Sequence, residues 1–345
     1  MNKFKFYFIV MFSGLLLFSC KNDDSEDEVA VRDYQTQYNA DIALIETYLK
    51  THYLIVTDSP GMTSDMNVAF GVIPEGNPDG LVSLWLRPDL LSKTVEVNYV
   101  TYKLYYIALR QGDPSKESPS VVDKILVSYD GSYLDTAGAL NRFEYVPYPN
   151  VPLGLDSTIL GWTEIFPFFK PGTSTVVVGE PTVYNDFGAG IMFIPSGLGY
   201  YNIATAAIPS YSPLIFSFKL YDMTRADQDG DGILSIYEDR NGNGIFTDDD
   251  TDGDGIPDYQ DGDDDGDGTT TRVENTKPTA WLDPANPNYS GPSLYFPYDP
   301  TNNVEHPELN ELKGAPSCPT TPGDPLTSDY TTSTRLRKYL TPNCR

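Results

Sequence analysis

Apolar and polar residues alternate through Leu214-Ile215-Phe216-Ser217-Phe218-Lys219-Leu220, with Leu214, Phe216, Phe218 and Leu220 at every second position. That period of two predicts a half-buried antiparallel strand with one face turned inward. The same alternation in VEVNYVTYKLYYIALRQG, starting at Val95, predicts one long strand, and SVVDKILVSYDGSYLD, ending at Asp135, a second beyond the Pro/Ser-rich loop 114–120. In YNADIALIETYLKT (38–51), Ile42, Ile45, Tyr48 and Leu49 share a helical stripe, with Asn39 or Asp41 as N-cap. Residues 52–92 read as short strands and loops leaning on the next domain, and Ser157–Lys170 as a short helix with Pro167 near its end. Between 195 and 213, Pro195, Gly197, Gly199, Pro209 and Pro213 exclude a helix, while Tyr200, Tyr201 and Ile208 make the loop apolar. Such a loop is expected to fold over a cavity. Together the elements predict an α+β fold in which an antiparallel sheet wraps around one short helix.

These stretches resemble the FKBP-type peptidyl-prolyl cis-trans isomerases. The resemblance rests on Ile194-Pro195-Ser196-Gly197-Leu198-Gly199-Tyr200, on Ile208-Pro209 and on Leu214-Ile215-Phe216. Upstream it continues in the strand ending Tyr129-Asp130-Gly131, in Thr158-Ile159-Leu160-Gly161-Trp162 and in the turn Lys170-Pro171-Gly172. It implies a proline-binding cavity with Trp162 as floor, Tyr129, Ile159, Ile208 and Phe216 as walls, Tyr200 as a donor to a substrate carbonyl, and Thr158 at the rim. There the Thr158 backbone N–H would take a second carbonyl. Of these, Tyr129, Trp162, Tyr200 and Phe216 would be catalytic and the others would bind substrate. The family's Phe-Asp pair is missing from its expected place, where Leu140 and Asn141 stand, and Asn141 is the residue assigned there. Relative to the family, extra residues between Gly172 and Gly190 imply a longer hairpin near the cavity. No acid, base or metal is required, because a catalyst need only bind the twisted amide better than the planar forms and remove it from water.

Composition changes this picture at both ends of the chain. Of a formal charge of −26, residues 227–274 supply 17 acidic and 2 basic side chains, so nucleic acid and anionic membrane surfaces are poor partners. The N-terminus, MNKFKFYFIVMFSGLLLFSC, has Lys3 and Lys5 before an apolar run too short to span a bilayer. Leu17-Phe18-Ser19-Cys20 resembles a bacterial lipoprotein box in which Cys20 is lipidated, and the acidic run 21–28 reads as a solvated tether. Cys318 and Cys344 then remain as a disulfide pair, contributing about 3 kcal/mol in the loop-entropy model. His52 and His306 have no recognisable catalytic neighbours.

Residues 227–238, DQDGDGILSIYE, fit the EF-hand calcium loop: Asp227, Asp229, Asp231, Ser235 and Glu238 stand at ligand positions and Gly232 at the sharp turn. The pattern recurs with Asp239, Asn241 and Asn243 ending at Asp250. It recurs again with Asp250, Asp252, Asp254 and Asp258 ending at Asp261, and with Asp263, Asp265 and Asp267 ending at Glu274. Loops that share an Asp resemble thrombospondin type 3 repeats, which implies structural calcium and a segment disordered without it.

The sequence thus predicts a lipoprotein signal peptide (1–19), an acidic tether (20–34), an N-terminal helical extension (35–92), an FKBP-like domain (93–223), an Asp-rich calcium-binding array (224–275) and an irregular tail (276–345) stapled by Cys318–Cys344. The implied function is prolyl isomerisation or chaperoning of proline-containing segments of exported proteins, on a protein anchored to the outer membrane and facing the periplasm or the cell surface. The rival is an inactive binding or scaffold lipoprotein whose stalk is stiffened by calcium. Asn141 discriminates between them: pointing into the cavity favours catalysis, and turning away favours the scaffold.

Overall fold

A buried face needs a partner layer, and the central sheet of this chain has one on each side. The structure, a computed structural model, describes residues 30–176, 178–179, 182–299, 311–342 and 344. The expected signal peptide, Cys20, tether residues 20–29 and His306 lie outside the described residues. In chain order the elements are α1 (Tyr34–Thr51), β1 (His52–Val56), β2 (Val68–Val72), β3 (Leu90–Val97), β4 (Val100–Arg110), β5 (Lys124–Leu134) and β6 (Leu140–Val146). Next come β7 (Leu153–Gly154), α2 (Leu160–Ile165), β8 (Thr173–Thr175), β9 (Val183–Asn185), β10 (Gly188–Ile194), β11 (Leu214–Thr224) and α3 (Thr271–Glu274). β3, β4, β10, β11, β5 and β6 form one antiparallel sheet in that order, and β7 adds to the start of β5. The α+β class expected from the alternation is the class observed.

The alternation sorts side chains onto two cores. On one face Tyr102, Leu104, Met192, Ile194, Leu214, Phe216, Phe218 and Leu220 pack with Trp162, Ile165, Phe166 and Phe169 from α2 and its 3-10 extension, where Pro167 sits. On the other, Tyr105, Ile107, Ile191, Phe193 and Ile215 pack against Ile45, Tyr48 and Leu49 of α1. β10 is therefore buried along its whole length, and β11, expected to be half-buried, is covered on both sides at Leu214–Phe216 because α1 lies over its outer face.

Three local expectations change. The strand beginning at Val95 is a hairpin: Asn98 and Tyr99, with φ of 53° and 60°, make a tight left-handed turn between β3 and β4. α1 begins at Tyr34, so Asn39 and Asp41 lie inside it rather than at its cap. Asp41 is buried and accepts from the Ser196 N–H (2.8 Å) and Oγ (2.6 Å) and from Gln37 Nε2 (2.6 Å). The extra segment after Gly172 does form a hairpin, β8–β9, but Tyr184 stacks on Tyr221 at 4.3 Å, and no described residue of the hairpin lines the cavity beside Trp162.

The acidic array packs on the sheet. Buried Asp123 accepts from Arg225 Nη1, Ala226 N–H (3.3 Å) and the Ser120 N–H (2.6 Å), while Phe246 and Tyr259 of the array bury against Val122. The segment after 276 builds a core apart from those of the sheet. Trp281, Phe296, Ala315, Tyr330 and Tyr339 enclose Ile233 of the first acidic loop, the Lys277–Glu311 pair is fully buried, and Cys318 is bonded to Cys344. Because these residues pack on the array itself, the expected irregular tail and the array share one core.

Candidate functional site

The concave face of the sheet opens between β5, β6, β11 and α2 into a cavity of ≈ 460 Å³ lined by Tyr129, Phe143, Glu144, Leu153, Thr158, Ile159, Trp162, Tyr200 and Phe216, among others. β5 and β11 are in register there, with Phe216 opposite Gly131 and Phe218 opposite Tyr129. A Cβ at Gly131 would lie 2.7 Å from Phe143 Cζ and 2.8 Å from Phe216 Cε1, so glycine lets the two rings meet over the strand. The rings pack edge to face, with centroids 5.1 Å apart for Tyr129–Trp162, 5.2 Å for Trp162–Phe216 and 5.6 Å for Phe143–Phe216. Trp162 is buried at the floor, and its indole N–H has no acceptor among the described residues. Burial, followed by a hydrogen bond to Glu144, raises the Tyr129 phenol well above its ordinary value and keeps it protonated.

Six of the eight residues assigned to this site therefore line one cavity: Tyr129, Thr158, Ile159, Trp162, Tyr200 and Phe216. Ile208 is buried in the adjoining core, behind the wall rather than on it. Asn141 does not line the cavity: its Nδ2 donates to Ala139 O (3.0 Å) and Asp135 Oδ2 (3.3 Å), closing its own hairpin turn. Phe143 and Glu144, the next inward-reaching residues of β6, stand at the cavity instead; an aromatic–acidic pair placed later in the hairpin was the available signal. The Thr158 N–H is taken by Leu155 O (3.1 Å), while the N–H of Ile159 has no acceptor among the described residues.

The loop over the cavity is held from behind by α1. Tyr201 and Tyr211 adopt φ of 49° and 62°, left-handed conformations that cost a non-glycine residue energy. Tyr34 stacks on Tyr201 at 4.2 Å, Gln37 Nε2 donates to Tyr211 O at 3.3 Å, and Asp41 holds Ser196.

In the array, the sequence repeat is a structural repeat. The first Asp of each loop accepts from the glycine N–H at the sharp turn: Gly232 to Asp227, Gly244 to Asp239, Gly255 to Asp250 and Gly268 to Asp263, at 2.8–3.2 Å. Those glycines all have positive φ. Three carboxylate groups have ligand atoms within 4.8 Å of one another: Asp229, Asp231, Glu238 and Asp264; Asp250, Asp252 and Asp254; and Asp263, Asp265 and Asp267. Burial, then mutual repulsion, pushes Asp231 up to about 8, Asp264 up to about 9 and Glu238 up to about 11. These are groups short of positive charge, and oxygen-rich acidic loops of this kind fit a hard divalent cation.

Several residues assigned as ligands are engaged otherwise. Ser235 Oγ accepts from Gln228 N–H (3.2 Å) and Asp258 from Thr251 N–H (2.7 Å), bracing their loops. Asn241 and Asn243 donate to Asp248, the former also to Asp249. Glu274 is paired with Lys338 at 3.3 Å, whereas Asp261 stays beside Asp252 and Asp254 of its own loop. Asp264, absent from the repeat grammar, joins the first loop.

A sheet of this order cupping a short helix over an aromatic cavity is an FKBP-like α+β arrangement, here continued by a further acidic module. Residues 228–311 match the family model described as BamM C-terminal, which covers the array and part of the core beyond it and is not one of the calcium-binding repeat families. Among solved structures, the chain is similar to a peptidyl-prolyl cis-trans isomerase from Pseudomonas syringae pv. tomato (20% identity, 40% of this chain and 84% of that one, TM-score 0.30). It is also similar to FkpA from Escherichia coli (25% identity, 40% of this chain, TM-score 0.30), spanning 53% of that chain. No curated protein matches the sequence.

Proposed function

We propose that the protein is a cell-envelope lipoprotein that binds proline-containing segments of exported proteins and isomerises their X-Pro bonds, with calcium as a structural ion in the acidic array. The carrying observation is the single cavity in which Trp162, Tyr129, Phe143, Phe216 and Tyr200 converge. A proline ring set on Trp162 leaves its imide among aromatic walls, where loss of water favours the twisted amide, whose resonance and charge separation are gone. Ile159 N–H and the Tyr200 hydroxyl are the donors for flanking carbonyls. Phe143 and Glu144 take the part that the missing Phe-Asp pair plays in the family this chain resembles, so the turning away of Asn141 does not by itself favour the scaffold reading. The envelope setting is supported by the apolar N-terminal run ending at Cys20 and by the match to the BamM C-terminal family, which points to outer-membrane-associated partners. A protease-coupled prolyl-isomerisation assay on the full-length protein, with and without a macrolide ligand, tests this. Macrolide-sensitive acceleration is expected, and binding without acceleration would leave the inactive scaffold.

A further inference from the structure

The two ends of the acidic array meet in space. Asp264 is the second residue of the fourth loop, where the repeat assigns no ligand, yet its carboxylate lies with Asp229, Asp231 and Glu238 of the first loop, all within 4.8 Å. The Asp264 N–H is turned away to Thr271 Oγ1 (3.2 Å), which leaves the side chain directed into this cluster. Asp231, Glu238 and Asp264 are 2%, 3% and 1% exposed. Among the described residues, Asp229 Oδ2, Asp231 Oδ2, both Glu238 oxygens and both Asp264 oxygens have no hydrogen-bond partner. Buried carboxylate oxygens without a donor are strongly unfavourable unless a cation takes that place. Oxygens in this number match the coordination of calcium and exceed what the compact octahedral preference of magnesium draws from protein side chains.

The other two groups differ in kind. Asp250, Asp252 and Asp254 lie at the surface, and Asp263, Asp265 and Asp267 come from a single loop. The first loop is also tied to the core beyond the array, through Ile233 against Trp281 and Tyr237 stacked on Tyr298 at 4.3 Å, and the fourth loop reaches the same segment through Glu274 on Lys338 at 3.3 Å.

The geometry points to one buried calcium site, built by Asp229, Asp231 and Glu238 with Asp264 brought from the fourth loop, that closes the array end to end and releases its ion more slowly than the other loops. This rests on the reading of the array as calcium-binding. Closure by Asp264 makes the ion a cross-link between loops separated by two others, and its loss frees Ile233 and the Trp281 core together.

Full-length protein is stripped with chelator and titrated with calcium by calorimetry. The unaltered protein is expected to show one tight class of one ion and a weaker class. Asp264→Asn should weaken the tight class at least about tenfold, since even outer-shell partners of a metal are worth about 10–100-fold, and leave the weaker class in place. Asp252→Asn should do the reverse. An unchanged tight class in Asp264→Asn overturns the closing role of Asp264 while leaving the array a calcium binder; no calcium bound by the unaltered protein removes both. If Asp264→Asn does not fold, chelator-triggered release from the unaltered protein decides: a slow phase of one ion, simultaneous with protease cleavage beyond residue 276, is expected, and release of all ions in one fast phase overturns the proposal.

Discussion

Asp41→Asn tests whether α1 belongs to the cavity. Its carboxylate accepts at least three hydrogen bonds in a buried position, two from Ser196 and one from Gln37. An amide keeps one oxygen and turns an N–H donor toward a donor, so at least one of the three is lost and one buried group is left unsatisfied. With hydrogen bonds to a charged group worth about 1.5–3 kcal/mol and an unsatisfied buried group costing about 1–3 kcal/mol, offset by burying one charge fewer, the net loss is about 2–4 kcal/mol. That lies below the 5–15 kcal/mol typical of a folded domain, so the variant folds. Ser196 opens the loop that carries Tyr200 and the two left-handed tyrosines, so the loss falls on local opening, and at about 1.4 kcal/mol per factor of ten the amides of 196–211 should exchange tens to several hundredfold faster. Hydrogen exchange by mass spectrometry reads this directly, and affinity for a proline-containing peptide should fall in parallel. Unchanged exchange over 196–211 in a variant destabilised elsewhere would refute the link between α1 and the cavity.

Trp162→Ala empties the cavity floor and should abolish peptide binding at a stability loss of about 3–5 kcal/mol, checked by peptide titration of the folded variant. Gly131→Ala drives a methyl into Phe143 and Phe216 and should cost about 1–3 kcal/mol in urea unfolding while weakening peptide affinity. Burial lowers the Lys219 ammonium to about 8. Because that lies below the unfolded value near 10.4, the unfolded chain binds more protons between them, and the wild type should gain stability over Lys219→Met as pH rises from about 8 to 10, with no change from 5 to 7; urea unfolding across that range measures it. Cys20→Ser should lose incorporation of a fatty-acid probe that marks the wild type.

The strands legible in the sequence are those with one polar face. β11 is readable from its alternation, but β10 is apolar on both faces and carries no period to read. The turn at Asn98–Tyr99 lacks the glycine that announces such turns, so two strands read as one. In the site, the residues fixed by neighbours in the chain are the legible ones, as Trp162 and Ile159 in one helical start. Glu144 is not, because the register of the β5–β6 hairpin shifts between Gly131 and Ser132, and Asp264 is not, because it reaches its partners through a pairing of distant segments, the fourth loop against the first. The core around Trp281 is illegible for the same reason, its aromatic residues being spread through Pro-rich chain with no element to give them a period.

The position of β11 also sets an order of events in time. It is the last strand to be made and it sits in the middle of the sheet, pairing Thr224 with Lys124 on one side while β10 joins it to β4 on the other. A chain made from its N-terminus thus holds β4 and β5 apart, with their apolar faces uncovered, until residues beyond 214 arrive. Pairing between distant segments closes large loops before it is rewarded and slows folding. The acidic stretch comes directly after, so the interval before the sheet closes ends as a strongly charged segment emerges.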